Sequence, residues 1–197
     1  MHLRNISDIK RIFPIGLGAM PLSIFGRPSE RDSIRLIRYF LDMGGNFIDT
    51  ANIYGLDETD KGHNERLIHL ALKHYKNLDD VLIATKGGAT RPNGGWSFRG
   101  GGHPKSLRIA CEESLKNLQI SEHALYYLHG IDPGIPFEDS WGELVLLKEE
   151  GKIRHLGIAN VNLDQLKTAT NLTAIAAVQN RCNPFCKGDF DSGLIKF

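Results

Sequence analysis

Two kinds of apolar pattern alternate along the chain. Six short segments have the apolar character of buried strands, and they cover residues 15–20, 46–49, 81–86, 124–129, 152–159 and 174–179. Five segments carry apolar residues at helical spacing, and these cover residues 29–43, 63–73, 104–118, 139–150 and a segment capped at residue 162. This alternation predicts parallel βαβ units with helices covering the sheet.

The helix boundaries carry local signals. Gly44 and Gly45 follow the first amphipathic segment and predict its end, and Gly151 does the same for the fourth. Asn162 is followed three residues later by Gln165, a pairing typical of a capping box. We therefore expect the fifth helix to begin directly after Asn162.

An open doubly wound sheet and a closed barrel are both compatible with βαβ units. A dinucleotide-binding sheet needs a helix after its first glycine-rich turn, but Pro21 follows the glycine-punctuated segment at that point. A barrel instead places polar functional residues at the carboxyl ends of successive strands. Five predicted strands end in this way, at Asp49, Lys86, His129, Asn160 and Gln179. The sequence thus favours an α/β fold of the TIM (β/α)8-barrel type.

A long glycine-rich segment, residues 87–103, follows the third predicted strand. Loops of this length in compact domains are usually functional or disordered. Its aromatic residues, Trp96 and Phe98, either wall a substrate pocket or anchor the loop, and the sequence leaves both interpretations open.

Composition and charge narrow the class of protein. The 197 residues are 41% hydrophobic and 24% charged, which indicates one globular domain over residues 1–197. The formal net charge of +1 implies no broad attraction to nucleic acid or to an anionic membrane. The amino-terminal segment lacks the pattern of a secretory signal, and no segment reaches the roughly 20 apolar residues of a membrane span.

The three cysteines, Cys111, Cys182 and Cys186, are an odd number without paired metal-ligand spacing. They are typical of reduced thiols, so we expect a cytoplasmic location and no metal site.

Four residues together suggest chemistry. Tyr54 follows Asp49 by five positions, and Lys86 and His129 end the next two predicted strands. An ammonium beside a phenol lowers the phenol's pKa, and Asp49 is placed to balance the Lys86 charge. His129 offers an N–H that could orient or polarise a carbonyl oxygen. The set suits protonation of a carbonyl oxygen, with Tyr54 as general acid and hydride from a cofactor.

The same residues lie in segments that resemble the aldo-keto reductase family, in the family's order along nearly the whole chain. Residues 48–55 match its Asp-Thr-Ala-x-x-Tyr-Gly segment, residues 85–86 its catalytic-lysine strand, and residues 128–132 its Leu-His-x-x-Asp segment. Residues 151–160 are similar to its Gly-Lys-Ile-Arg-x-x-Gly-x-Ser-Asn run, and residues 178–180 to the end of its sixth strand. Residues 87–92 and 179–181 look most like the bacterial branch that includes pyridoxal-type reductases.

The resemblance implies a TIM barrel, NADPH as cofactor and a small carbonyl compound as substrate. It implies that Asn160 and Gln179 hold the nicotinamide carboxamide, with Gly18 and Met20 also at the cofactor. Ala159 replaces the family's usual serine, and Cys182 stands where related sequences often carry tyrosine.

The family pattern continues for two further βα units beyond the sixth strand, so we expect this domain to be truncated there. Those units would supply the group stacking on the nicotinamide and the residues that hold the adenosine 2′-phosphate. Two open strand edges would favour self-association.

The leading functional hypothesis is NADPH-dependent reduction of an aldehyde or ketone. An inactive pseudoenzyme or binding subunit with the same fold is the alternative. A metal-dependent hydrolase using Asp49 and His129 is a third hypothesis, but it leaves Tyr54 and Lys86 without a role.

Overall fold

The structure of the chain is a computed structural model that describes residues 3–6 and 9–197. Within these described residues there are eight strands: β1 Arg4–Ile6, β2 Lys10–Ile12, β3 Leu17–Gly18, β4 Phe47–Asp49, β5 Leu82–Gly87, β6 His123–Leu128, β7 Ile153–Ala159 and β8 Ala177–Gln179. The helices are α1 Glu30–Asp42, α2 His63–Leu72, α3 Pro104–Leu118, α4 Phe137–Glu149, α5 Leu163–Leu172 and the short α6 Gly188–Asp191.

Strands β3 to β8 form one parallel sheet in the order of the chain. A doubly wound sheet would reverse its strand order at a switch point, and this sheet has no reversal. The sheet curls into a half-barrel, so the prediction of a TIM-type fold is confirmed. The predicted alternation of six strands with five helices, α1 to α5, is confirmed as well.

The helix signals were also correct. The Asn162 side chain accepts from the Gln165 backbone N–H at 2.9 Å, and the Gln165 side chain accepts from the Asn162 N–H at 2.9 Å. Gly44, after α1, has a φ of +90°, a conformation that a residue with a side chain rarely adopts.

Two features were not predicted. Strands β1 and β2 form an antiparallel hairpin before the barrel, and residues 183–196 contain a small bridge and α6. The hairpin strands have three residues each, which is too short for a clear period-2 pattern.

Two apolar clusters pack the helices onto the sheet. One joins α3, α4 and α5 to β6 and β7, with Trp141 fully buried at its centre. The other joins α1 and α2 to β4, around Ile37 and Ile68. This packing holds the strands in register, so their carboxyl ends lie at one edge. Within residues 3–6 and 9–197, no helix has the length and apolar character needed to cross a bilayer.

Candidate active site

The carboxyl edge of the sheet carries the polar residues that the sequence singled out. Asp49 ends β4, Lys86 lies one residue before the end of β5, and His129 directly follows β6. Asn160 directly follows β7, and Gln179 ends β8.

Tyr54 reaches this edge through the loop after β4. The Tyr54 carbonyl accepts from the Asn64 N–H at 3.2 Å, and the Asn52 carbonyl accepts from the Gly62 N–H at 2.7 Å. These bonds tie the loop to the start of α2. The Tyr54 side chain is 6% exposed.

Asn64 is a supporting residue that the sequence analysis did not identify. Its side chain is fully buried, accepts from the Thr50 hydroxyl at 2.6 Å and donates to the Ala19 carbonyl at 2.8 Å. It therefore connects the end of β3, the start of the Tyr54 loop and α2. The sequence shows only an asparagine in the first turn of a predicted helix, and an exposed asparagine would fit that position equally well.

The Lys86 ammonium is the centre of the site. Its Nζ donates to both carboxylate oxygens of Asp49, at 2.7 and 2.8 Å, and to the Thr50 carbonyl at 2.8 Å. The Tyr54 oxygen lies 3.3 Å from the same Nζ. Lys86 is 1% exposed, so these partners replace its water. Since the Tyr54 oxygen accepts from Lys86, its own O–H is free to donate elsewhere.

His129 faces Tyr54 across the site. The two rings meet edge to face, with centroids 6.0 Å apart, and Trp96 contacts the Tyr54 ring in the same way at 5.8 Å. Phe98 lies 6.1 Å from the His129 ring. The long loop after β5 therefore reaches the site with both of its aromatic residues.

Burial shifts the acid–base behaviour of the site. It raises the pKa of Tyr54 well above its ordinary value, and the negative charge of Asp49 adds to the effect. Burial lowers the pKa of Lys86, while Asp49 offsets part of that change. The sequence argument that Lys86 lowers the Tyr54 pKa was therefore wrong for this state of the protein, because burial has the largest effect on this pKa and the negative charge of Asp49 acts in the same direction.

His129 is held in its neutral form. Burial, together with the positive charge of Lys86, lowers its pKa to about 3. Its Nδ1 is buried without a hydrogen-bond partner among the described residues. A neutral imidazole next to an ammonium suits hydrogen bonding to an uncharged carbonyl oxygen better than proton transfer.

The residues expected at the cofactor lie at the same edge. The Asn160 side chain donates to the His129 carbonyl at 2.7 Å, and Gln179 donates to Asp49 at 2.9 Å. Gly18 is paired with Asp49 in the sheet, with open space where a Cβ would lie. Met20 packs near Tyr54. The structure thus brings every residue predicted for the site to one face.

The described ranges, 3–6 and 9–197, hold no group of three or more His, Cys, Asp or Glu residues arranged to bind a metal. The Asp49 carboxylate instead accepts hydrogen bonds from Lys86 and Gln179. The arrangement is suited to delivering a proton from Tyr54 to an oxygen that His129 also contacts.

Comparison with protein families gives one clear match. The model of the "Aldo/keto reductase family" matches residues 14–197. An uncharacterized oxidoreductase of Schizosaccharomyces pombe is 35% identical over 175 residues, which cover 86% of this chain and 54% of that protein. The Glycine max protein named "Probable aldo-keto reductase 1" is 35% identical over 167 residues, covering 84% and 46% respectively. The chain spans about half the length of these curated relatives.

Solved structures agree with this match. A thermostable aldo-keto reductase crystallised with the inhibitor epalrestat superposes with a TM-score of 0.83 at 26% identity, covering 100% of this chain and 68% of that one. The holo form of an aldo-keto reductase from Bacillus halodurans gives 0.76 at 27%, covering 92% and 58%. A glycerol dehydrogenase from Gluconobacter oxydans gives 0.79 at 28%, covering 93% and 56%.

Proposed function

This chain belongs to the aldo/keto reductase family, and we propose that it reduces an aldehyde or ketone to an alcohol with NADPH, using Tyr54 as general acid. The observation that carries the proposal is the buried Lys86 ammonium, which contacts Asp49 and the Tyr54 oxygen at once. This contact leaves the Tyr54 proton directed away from Lys86. Because the family consists of carbonyl reductases, we assign this proton donor to the reduction of a carbonyl group.

Each residue has a separate task in the proposed reaction. His129 donates a hydrogen bond that orients the carbonyl oxygen, and Tyr54 transfers its proton to that oxygen as negative charge develops on it. Lys86 stabilises the phenolate left on Tyr54, and Asp49 keeps Lys86 in place. A nicotinamide cofactor, when bound at this edge, would supply the hydride for the carbonyl carbon.

The residues at the carboxyl edge fit a nicotinamide cofactor. A carboxamide needs both a donor and an acceptor, and the Asn160 and Gln179 amides offer both. Each uses an N–H within the protein, and neither amide oxygen accepts a hydrogen bond from a described residue. The open space at Gly18 leaves its backbone accessible. We propose that these three residues, with Met20, hold the nicotinamide end of NADPH.

The names of similar proteins support the class of reaction. Two are named aldo-keto reductases in solved structures, one of them in its holo form, and one is a glycerol dehydrogenase. Three free cysteines, one of them buried, support location in a reducing compartment such as the cytoplasm.

Cofactor titration and a tyrosine variant test the proposal. We expect NADPH to quench tryptophan fluorescence with saturation, and Tyr54→Phe to bind NADPH but to lose carbonyl reduction. Tyr39→Phe is the matched control, since Tyr39 lies on α1 and is 67% exposed. Full activity in Tyr54→Phe would refute the assignment of the general acid.

A non-catalytic binding protein with the same fold is the second candidate. It would share the family's fold but would need neither bound cofactor nor proton transfer from Tyr54. A chain that binds no NADPH and reduces no carbonyl compound would support this candidate over the reductase.

We also propose that the protein self-associates through the edges of its sheet. Neither β3 nor β8 pairs with a further strand within the described residues, and Val178 on β8 is 37% exposed. Light scattering after size exclusion tests this, because Val178→Lys should then lower the observed mass. A wild-type protein that is monomeric at high concentration would contradict the proposal.

A further inference from the structure

A buried carboxylate outside the proposed catalytic set joins two loops at the edge of the site. Asp132 follows His129 by three residues and is 3% exposed. Its Oδ2 accepts from the Gly100 N–H at 2.7 Å and from the Gly102 N–H at 3.1 Å. Its Oδ1 accepts from the Gly134 N–H at 2.9 Å. Three N–H donors to one buried carboxylate are strong hydrogen bonds, since the acceptor is charged.

The end of the long loop is packed tightly against this carboxylate. A Cβ on Gly102 would lie 2.5 Å from the Asp132 Cβ, and a Cβ on Gly101 would lie 2.6 Å from the Gly88 backbone. The Ser140 hydroxyl donates to the Gly102 carbonyl at 2.6 Å. A side chain at either glycine would therefore clash with its neighbours, and this close packing restricts the position of the loop end.

The held segment leads directly to the aromatic residues beside the catalytic pair. Thr90 and Ser97 form a backbone bridge that closes the tip of the loop. Phe98 packs on the backbone of Gly130, where a Cβ would lie 2.6 Å from its ring. The Trp96 ring lies against Tyr54 and is 50% exposed, while Phe98 is 36% exposed. Both rings present apolar surface next to buried polar groups, as ligand pockets do.

We propose that Asp132 is a positioning residue that fixes Phe98 and Trp96 as the aromatic walls of the carbonyl pocket, so that the enzyme favours carbonyl compounds with a flat aromatic group. The inference rests on the proposed function and specifies its substrate class. Aromatic pairs contribute about 0.5–1.5 kcal/mol beyond their buried area, so a saturated ring of similar size binds less well between these walls. If the Asp132 hydrogen bonds are lost and the loop end is released, this preference for aromatic over saturated rings should be lost as well.

Substrate selectivity tests the proposal. The ratio of kcat/KM for benzaldehyde to that for cyclohexanecarbaldehyde is measured in wild type and Asp132→Asn. The asparagine has nearly the same size but replaces one acceptor oxygen with an amide donor, which faces N–H groups. We expect the ratio to fall about three- to tenfold, mainly through a higher KM for benzaldehyde. Partial unfolding would lower both activities equally and leave the ratio unchanged.

Two further variants sharpen this experiment. Phe98→Leu removes one wall without altering the Asp132 hydrogen bonds, and it should lower the ratio to a similar extent. Asp42→Asn, an exposed carboxylate on α1, is the matched control and should leave the ratio unchanged. An unchanged ratio in both Asp132→Asn and Phe98→Leu would overturn the proposal.

Three measurements separate failure of the inference from failure of the proposed function. Trp141 is fully buried, so acrylamide quenching reports mainly on Trp96. Asp132→Asn should increase this quenching and should accelerate hydrogen exchange at Gly100 and Gly102 at least about tenfold. If the chain reduces no carbonyl compound, the proposed function fails. In that case binding alone tests the preference for aromatic groups, and benzyl alcohol should bind more tightly than cyclohexylmethanol. Equal binding, or unchanged exchange, would overturn the inference.

Discussion

The Gln179 side chain donates a hydrogen bond to the Asp49 carboxylate at 2.9 Å, although 130 residues separate the two in the chain. Asp49 ends the second strand of the parallel sheet and Gln179 ends the sixth. A flat sheet would hold these ends far apart, because neighbouring strands are about 4.8 Å from one another. The contact therefore depends on the curl of the sheet, and it joins the proposed proton-donating residues to the proposed cofactor residues.

Gln179→Ala should weaken NADPH binding and destabilise the fold. The variant removes a hydrogen bond to a charged group, which contributes about 1.5–3 kcal/mol, and it removes one proposed carboxamide ligand. NADPH titration and urea unfolding measure the two effects. Asn171→Ala, an exposed amide on α5, serves as the control. Unchanged NADPH affinity would exclude Gln179 from the cofactor site.

The Asp49–Lys86 pair should behave as a coupled unit. Lys86→Met leaves a largely buried carboxylate without its ammonium, which costs about 3–5 kcal/mol of stability. Asp49→Asn combined with Lys86→Met should cost clearly less than the sum of the two single variants. A double-mutant cycle by urea unfolding measures the coupling, and additive losses would show that the pair contributes little.

The Tyr54 hydroxyl should remain protonated at pH 10 in the protein without cofactor. Burial and the Asp49 charge raise its pKa above the ordinary value of about 10, so its phenolate forms only at higher pH. The ultraviolet difference between wild type and Tyr54→Phe near 295 nm reports this ionisation directly. A phenolate signal that appears below pH 9 would show that Lys86 dominates over burial.

The free energy of unfolding should fall as the pH falls from 7 to 5. Burial lowers the pKa of His123 from 6.5 to about 4, so between these values the unfolded chain binds a proton that the folded chain does not. Stability is therefore retained above pH 6.5 and is lost progressively toward pH 4. The expected loss from His123 between pH 7 and 5 is about 2 kcal/mol.

Urea unfolding at both pH values tests this prediction, with His123→Asn as the variant. The substitution should reduce the pH dependence by about that amount, whatever its effect on stability at pH 7. His69→Asn, in the last turn of α2, is the control because His69 is only half-buried. An equal pH dependence in wild type and His123→Asn would contradict the assignment.

Asn64 and Asp132 show why some of the site was not predictable. Both are buried and both position a loop. Asn64 lies in a local sequence that an exposed asparagine would also suit, and Asp132 was recognised only as part of the segment 128–132 that resembles the family, without a role of its own. Their roles depend on which backbone groups approach from distant segments. Lys86 was predictable because a charged residue at the end of an apolar strand contributes nothing to the core, and its presence there therefore indicates a function.

The sequence by itself determined the order of strands and helices, since apolar periodicity and capping are local properties of the chain. It also placed Asp49, Lys86 and His129 at one edge, because parallel strands align their carboxyl ends. Only the tertiary structure decided that Gln179 reaches Asp49, that Asp132 holds the loop of Phe98, and that burial keeps Tyr54 protonated. Those outcomes depend on curvature, burial and distances through space, which a linear pattern does not contain.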